Sequence, residues 1–482
     1  MSQATTRQDA NLPGRRAKRE CVPPADTIAA IATPPGRSGV GVVRVSGANV
    51  PLVIAGIVRR QLDPRTATLA TFCGVANEAI DQGLALYFPA PRSYTGEDIL
   101  ELHGHGGPAA LGLLLARCVE LGARIARPGE FTQRAFLNGK LDLAQAEGVA
   151  DLIDAATATA ARAAARSLTG VFSREIHELG DALVELRMFT EATLDFPEEE
   201  VGFLRAADAR GRLAALQTRV ADLLARAQQG ALLRDGLSVV VVGQPNVGKS
   251  SLMNQLAGDA VAIVSSFAGT TRDALRAQIE IHGIPLTIID TAGLRATDDP
   301  IEMLGIERTR AAVERADLAI VLVDAAGGAN ISNADAAILA QMPEALPRLV
   351  VHNKIDLAGR VPSVETRGVS VADGEPELER HVYLSAKTGA GIDLLRQEIL
   401  RAAGAHEDME GVFLARARHL AALRAARMSL NAATRHLASS QPPLELLAEE
   451  LRTAHMALAA ITGEFSSDDL LGVIFSRFCI GK

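Results

Sequence analysis

The hydrophobic pattern changes texture three times along the chain. Residues 27–32 (Thr-Ile-Ala-Ala-Ile-Ala) and 41–45 (Gly-Val-Val-Arg-Val) predict strands, with the Pro/Gly-rich residues 33–39 turning between them. Residues 84–88 and 98–102 predict two more strands. His103-Gly104-His105-Gly106-Gly107 then leads into an Ala/Leu helix through Cys118. This α+β domain ends near Asn138. From Lys140 the period becomes helical: Leu141, Ala144, Val149, Leu152 and Ile153 recur on one face, and Leu213, Leu216, Val220, Leu223 and Leu224 do so more clearly. Short apolar runs then alternate with helical stretches at 239–242, 279–281, 286–289, 318–323, 349–352 and 382–384, which predicts a mostly parallel α/β sheet. After Gly404 the Ala/Leu/Arg helical texture returns. Helical segments on both sides of an α/β domain imply insertion. The expected organisation is a tail (1–24), an α+β domain (25–139), a helical bundle built from 140–236 and 404–482, and a nucleotide domain (237–403) emerging from that bundle.

Composition narrows the class. A length of 482 residues suits about three domains. A net charge of −8 argues against a surface coated for generic nucleic-acid binding, and the absence of Trp argues against an aromatic stacking platform. Cys21, Cys73, Cys118 and Cys479 are far apart with no C-x-x-C pair, so neither zinc nor a disulfide framework is expected, and a reducing cytoplasmic setting fits. No apolar run reaches membrane-spanning length. The basic first 24 residues read as a disordered tail; Asp9 and Glu20 count against a transit peptide.

The chemistry concentrates at Gly243-Gln244-Pro245-Asn246-Val247-Gly248-Lys249-Ser250, a phosphate-loop motif set between a strand and a helix that starts with Ser251. Its glycines let backbone N–H groups close on a phosphate, Lys249 supplies charge at the β/γ-phosphates, and the Ser250 hydroxyl suits Mg²⁺. Asp290-Thr291-Ala292-Gly293 follows a strand. Its carboxylate suits Mg²⁺, directly or through water, and its glycine suits the γ-phosphate. Asn353, Lys354 and Asp356 follow another strand; a carboxylate at 356 pairs with the two N–H donors of guanine, which selects GTP over ATP. Ser385-Ala386-Lys387 fits a backbone contact to the base. Ala268, Gly269, Thr270 and Thr271 form a switch segment with a threonine for Mg²⁺. Leu294 stands where Ras-like proteins carry the glutamine that orients water, so another polar group is needed, and Glu302 is the candidate. Three adjacent carboxylates, Glu198-Glu199-Glu200, read as a solvated loop rather than a metal site.

Together with both flanks, these motifs resemble the MnmE (TrmE) family of tRNA-modification GTPases over residues 25–482. The resemblance also rests on Thr33-Pro34-Pro35-Gly36-Arg37-Ser38-Gly39, Ser93-Tyr94-Thr95-Gly96-Glu97-Asp98, Arg127-Pro128-Gly129-Glu130-Phe131-Thr132, residues 136–147, and the ending Cys479-Ile480-Gly481-Lys482. It implies a folate-binding, dimerising N-terminal domain, with Arg44, Glu101, Lys140 and Lys482 at the positions contacting 5-formyltetrahydrofolate. It implies K⁺ held by the side chains of Asn246 and Thr270 and the carbonyls of Ser265 and Phe267, within a nucleotide-contacting segment that includes Ser266. Mg²⁺ would be held by Ser250 and Thr271, and water oriented by Glu302. It further implies a homodimer, a flavoprotein partner, MnmG, bringing FAD and using NADH, and tRNA as substrate, with a carboxymethylaminomethyl-type group built at C5 of wobble uridine. Cys479 falls on a cysteine linked to modification. Ser265-Ser266-Phe267 departs from the family's Thr-Asp-Ile, and the basic tail is extra. A binding switch assisting ribosome assembly is the rival reading; the N-terminal domain and the Cys-Ile-Gly-Lys ending count against it.

Overall fold

The computed structural model describes residues 26–195, 208–258, 276–290, 313–327, 342–343, 346–369, 377–405, 411–439, 441–464, 468–476, 478–479 and 481. Among these, no helix is long and apolar enough to cross a membrane.

The first sheet contains β1 (Thr27–Ile31), β2 (Ser38–Ser46), β3 (Thr68–Cys73), β4 (Ala79–Phe88), β5 (Ile99–Gly106) and, after α1 (Pro108–Glu120), β6 (Ala123–Ile125). The strand order is β3-β4-β5-β2-β1-β6, and only the β1–β6 pairing is parallel. Alternation along β2 and β5 buries Val43, Val45, Leu100 and Leu102, against which α1 packs Leu111, Leu114 and Cys118. β5 runs further than expected, so His103–Gly106 are strand rather than entry loop; β3 and β6 are additional. α2 (Glu130–Leu137) follows.

α3 (Leu143–Asp154), α4 (Ala158–Leu168), α5 (Val171–Asp195) and α6 (Ala209–Asp235) lead to the second sheet. In α3 Ala144 is buried as its spacing predicts, but the expected apolar face fails at the helix end, where Leu152 and Ile153 are exposed; Leu143, Ala146 and Glu147 are buried as well. The α6 positions 213, 216, 220, 223 and 224 are all buried as their spacing predicts.

The second sheet comprises β7 (Leu237–Gly243), then α7 (Lys249–Gly258), β8 (Arg276–Ile281), β9 (Ile284–Asp290), β10 (Leu318–Asp324), β11 (Arg348–Asn353), β12 (Ser363–Val369) and β13 (Glu377–Tyr383), followed by α8 (Ile392–Ala402). Its order is β12-β13-β11-β10-β7-β9-β8, parallel throughout except for antiparallel β8 and β12 at the edges. Both faces are covered. Val239 and Val241 belong to one core and Val240 and Val242 to the other, which is why β7 reads as an unbroken apolar run.

α9 (Ala417–Leu437) and α10 (Leu444–Thr462) pack with α5 and α6 into a ring of four helices, so the second sheet is inserted between α6 and α9. Both connections to it are tied to one carboxylate: Asp151 Oδ1 accepts from Arg234 Nε (3.0 Å) at the entry and from Arg416 Nη2 (2.7 Å) at the exit. One turn earlier the buried Glu147 meets Arg418 and His419 and is held far below the usual carboxylate range. Burial alone would raise it, but the His419 and Arg418 hydrogen bonds and charges prevail. α11 (Asp468–Ser476) falls, with residues 466–482, in the same compact unit as residues 1–146 rather than with the helices before it; residues 147–465 form the other unit.

Candidate nucleotide site

β7 ends at Gly243, level with Leu322 of β10, and a Cβ on Gly243 would lie 2.4 Å from the Leu322 carbonyl oxygen. Gly248 has φ +103°, and a Cβ there would lie 2.3 Å from Asn353 Nδ2. The motif's two glycines are thus demanded by different neighbours, a strand carbonyl and a buried amide. Asn246 between them sits at φ 61°, the left-handed region Asn tolerates better than most residues. Lys249 opens α7 and its Nζ donates to the Gly243 (2.7 Å) and Gln244 (3.1 Å) carbonyl oxygens, placing the ammonium inside the curve of the loop. Ser250 and Ser251 stand exposed in the first turn of α7, where backbone N–H groups lack intrahelical partners and attract an anion. Asp290 closes β9 two strands from β10, paired with Val241, at the same end of the sheet. A hydroxyl on this helix turn and a carboxylate residue at this strand end are the hard oxygen donors Mg²⁺ prefers.

The base-side motif is organised by Asn353. Its Nδ2 donates to the Val247 carbonyl (2.8 Å), and its Oδ1 accepts from the Ala386 N–H (2.8 Å). It is 2% exposed, so its side chain joins the phosphate loop to the segment after β13 rather than facing a ligand. Asp356 is exposed, and its Oδ1 accepts from the Ser385 hydroxyl at 2.6 Å, which in turn accepts from the Thr388 N–H. The backbone contact expected of Ser385-Ala386-Lys387 is narrowed, because the Ser385 N–H donates to Ala390 O and the Ala386 N–H to Asn353. Lys354, with φ 68°, reaches Asp324 Oδ2 at 2.7 Å. Asp324 is thus a pocket residue the sequence reading missed. Its signal was position: it ends β10 in register with Asn353 of β11, as Asp290 ends β9.

Beneath the motif, His352 Nε2 lies 2.9 Å from His381 Nδ1, and its ring stacks on Tyr383 with centroids 4.3 Å apart. Burial and the neighbouring His381 push His352 down to about 4, so it is neutral near pH 7.

Of the expected folate-contacting residues, Arg44 and Glu101 are level on β2 and β5 and form an ion pair at 2.9 Å. Arg44 also donates to the Gly481 carbonyl at 3.4 Å and lies 5.7 Å from the Tyr94 and Phe131 ring centroids. Lys140 Nζ donates to Pro91 O, on the loop that carries Tyr94. The second oxygen of Glu101 meets His103 Nε2 at 3.1 Å, a contact the sequence reading missed because it depends on alternation within β5. A guanidinium and a carboxylate beside two rings suit an aromatic, carboxylate-bearing ligand such as a folate. Cys479 is exposed and its carbonyl accepts from Gly129 N–H, whereas burial pushes the Cys118 thiol up to about 12; Cys73, Cys118 and Cys479 are all free thiols. Residues 198–200, 265–271, 291–294, 302 and 482 lie outside the described residues, so the structure does not bear on Ser265, Ser266, Phe267, Thr270, Thr271, Glu302 or Lys482.

A parallel sheet with a phosphate loop at the end of one strand and an Asn-Lys-x-Asp latch at the end of another defines a phosphate-loop GTPase. The family described as "MnmE helical domain" matches residues 143–479, and "GTP-binding protein TrmE N-terminus" matches residues 27–140. The chain is 61% identical to the tRNA modification GTPase MnmE of Laribacter hongkongensis, over 95% of this chain and 99% of that one. It is 58% identical to the protein of the same name from Dechloromonas aromatica, over 95% and 100%. A solved structure of Aquifex aeolicus Era bound to GDP and aluminium fluoride aligns with 27% identity over 40% of this chain and 66% of that one. At a TM-score of 0.27 it adds nothing to the fold read from the strand order. The chain belongs to the MnmE family of tRNA modification GTPases.

Proposed function

We propose that the chain is a K⁺-stimulated GTP hydrolase which, with the flavoprotein MnmG, drives addition of a carboxymethylaminomethyl group to C5 of wobble uridine in certain tRNAs, using a folate one-carbon unit. The observation that carries the GTP half is the Asn353 latch. It fixes Asp356 on the base side and the phosphate loop on the other as parts of one pocket. Lys249 and the N-terminal turn of α7 hold the phosphates, and Ser250 with Thr271 holds Mg²⁺. Asn246, Ser265, Phe267 and Thr270 hold K⁺, and Glu302 orients the attacking water where Leu294 has no hydrogen bond to offer. When bound, the two cations take up charge developing on the transferred phosphoryl group. Arg44, Glu101, Lys140 and Lys482 bind the folate, and two copies of the chain pair through this N-terminal domain.

The test is nucleoside analysis of total tRNA from a strain lacking the gene. The C5 substituent of wobble uridine should disappear and return on complementation. Unchanged nucleosides would refute the reading and favour a GTPase switch with no part in base chemistry.

A further inference from the structure

α9 carries no Asp or Glu in its 21 residues, in a chain of net charge −8. Its buried side is mostly apolar, with Leu423, Ala426, Leu430, Ala433 and Leu437 beside the buried His419 and Ser429. At about 100° per residue, Arg424, Arg427, Asn431 and Arg435 share one stripe within roughly 80°, centred about 120° around the helix from the buried side. All four are exposed. Among the described residues, Arg424, Arg427 and Arg435 make no ion pair or hydrogen bond.

One of its two neighbours in the ring, α6, is the contrast. All five arginines of α6 are engaged: Arg210 with the Leu437 carbonyl, Arg212 with Glu185, Arg219 with Glu178, Arg226 with Glu175 and Arg234 with Asp151. The Arg210 contact and the Gln217–Asn431 hydrogen bond (2.8 Å) run α6 antiparallel beside the stripe. Between Arg210 and Arg234 the only carboxylate on α6 is Asp222, whose charge acts on Arg226.

Three guanidiniums without a partner among the described residues, spread over about 16 Å of helix, match a strand that offers a phosphate on the order of every 3 Å of axis. A guanidinium meets phosphate oxygens in pairs, which an exposed carboxylate-rich surface would not allow. We infer that this face of α9 docks the phosphate backbone of the tRNA substrate. The inference rests on tRNA being the substrate, as proposed above.

The test uses the full-length protein carrying Arg424→Gln, Arg427→Gln and Arg435→Gln together. A fluorescently labelled transcript of a tRNA with uridine at the wobble position is titrated across a salt series. Affinity should fall by about tenfold or more at moderate salt. The slope of log affinity against log salt should become shallower by roughly 2 to 3, for three lost phosphate contacts. Basal GTP turnover should be unchanged, Arg→Lys at the same three positions should restore most of the affinity, and Arg219→Gln should leave affinity and slope intact. An unchanged slope in the triple Gln variant overturns the inference while leaving the wobble-uridine reading standing. Loss of copurification with the flavoprotein but normal tRNA binding overturns it in favour of a protein partner. Failure of the wild-type protein to bind the transcript overturns it outright, and unchanged nucleosides in the deletion strain remove the reading beneath it.

Discussion

Asn353→Ala tests whether the phosphate loop and the base-reading segment are one pocket. The side chain makes two hydrogen bonds of 2.8 Å, to the Val247 carbonyl and from the Ala386 N–H. Val247 is 4% exposed and Ala386 2%, so truncation strands both backbone groups away from solvent. Each stranded group costs about 1–3 kcal/mol, for a total of roughly 2–6 kcal/mol. Water entering the vacated space recovers part of this, so the lower figure applies if the site hydrates. Because the two bonds join the segments that grip opposite ends of the nucleotide, most of the cost falls on binding. About 2 kcal/mol corresponds to roughly a 30-fold weaker affinity. The assay is equilibrium titration of GTP and of GDP, with circular dichroism confirming a folded domain. Both nucleotides should weaken alike, since the latch holds the phosphate loop and the base-reading segment, which GTP and GDP both use. Affinity within twofold of wild type in a folded variant would show that the two segments hold their positions independently.

Gly248→Ala places a methyl 2.3 Å from Asn353 Nδ2 at a φ of +103°, so nucleotide affinity should fall by at least as much as in Asn353→Ala; unaltered affinity by the same titration would contradict the packing argument. Glu302→Ala should leave GTP affinity near normal and cut turnover by about 10²-fold or more, and normal single-turnover rates would remove Glu302 from the mechanism. His352 is held down to about 4 from an ordinary 6.5, by burial first and His381 second. The unfolded chain therefore takes up that proton before the folded one does. The histidine's contribution, up to roughly 3 kcal/mol, is present above pH 6.5 and is lost as pH falls through 4. Urea midpoints of His352→Phe and wild type should diverge across this window, and parallel curves would refute the assignment.

The second sheet was legible because its central strands β7, β10 and β11 are buried and read as apolar runs, and β7, β9 and β11 end where a motif residue stands: Gly243, Asp290, Asn353. Its edge strand β12, with the sequence Ser-Val-Glu-Thr-Arg-Gly-Val, pairs on one side only and carries charge, so it resembled a loop. β6 has three residues, too few to show a period. In α3, Leu152 and Ile153 misled because apolar residues at helical spacing do not say where the helix leaves its neighbour. The pocket's residues were visible as types at strand ends, but their partnerships were not. Asn353 meets Val247 across 106 residues and Arg44 meets Glu101 across 57, and such contacts follow from strand order and register rather than local pattern.

GTP turnover in KCl against NaCl at matched ionic strength, over a series of protein concentrations, tests the central claim most directly. The account predicts that turnover in KCl exceeds that in NaCl by at least about tenfold and rises per molecule as copies of the chain associate. Equal rates in the two salts, independent of protein concentration, would contradict it.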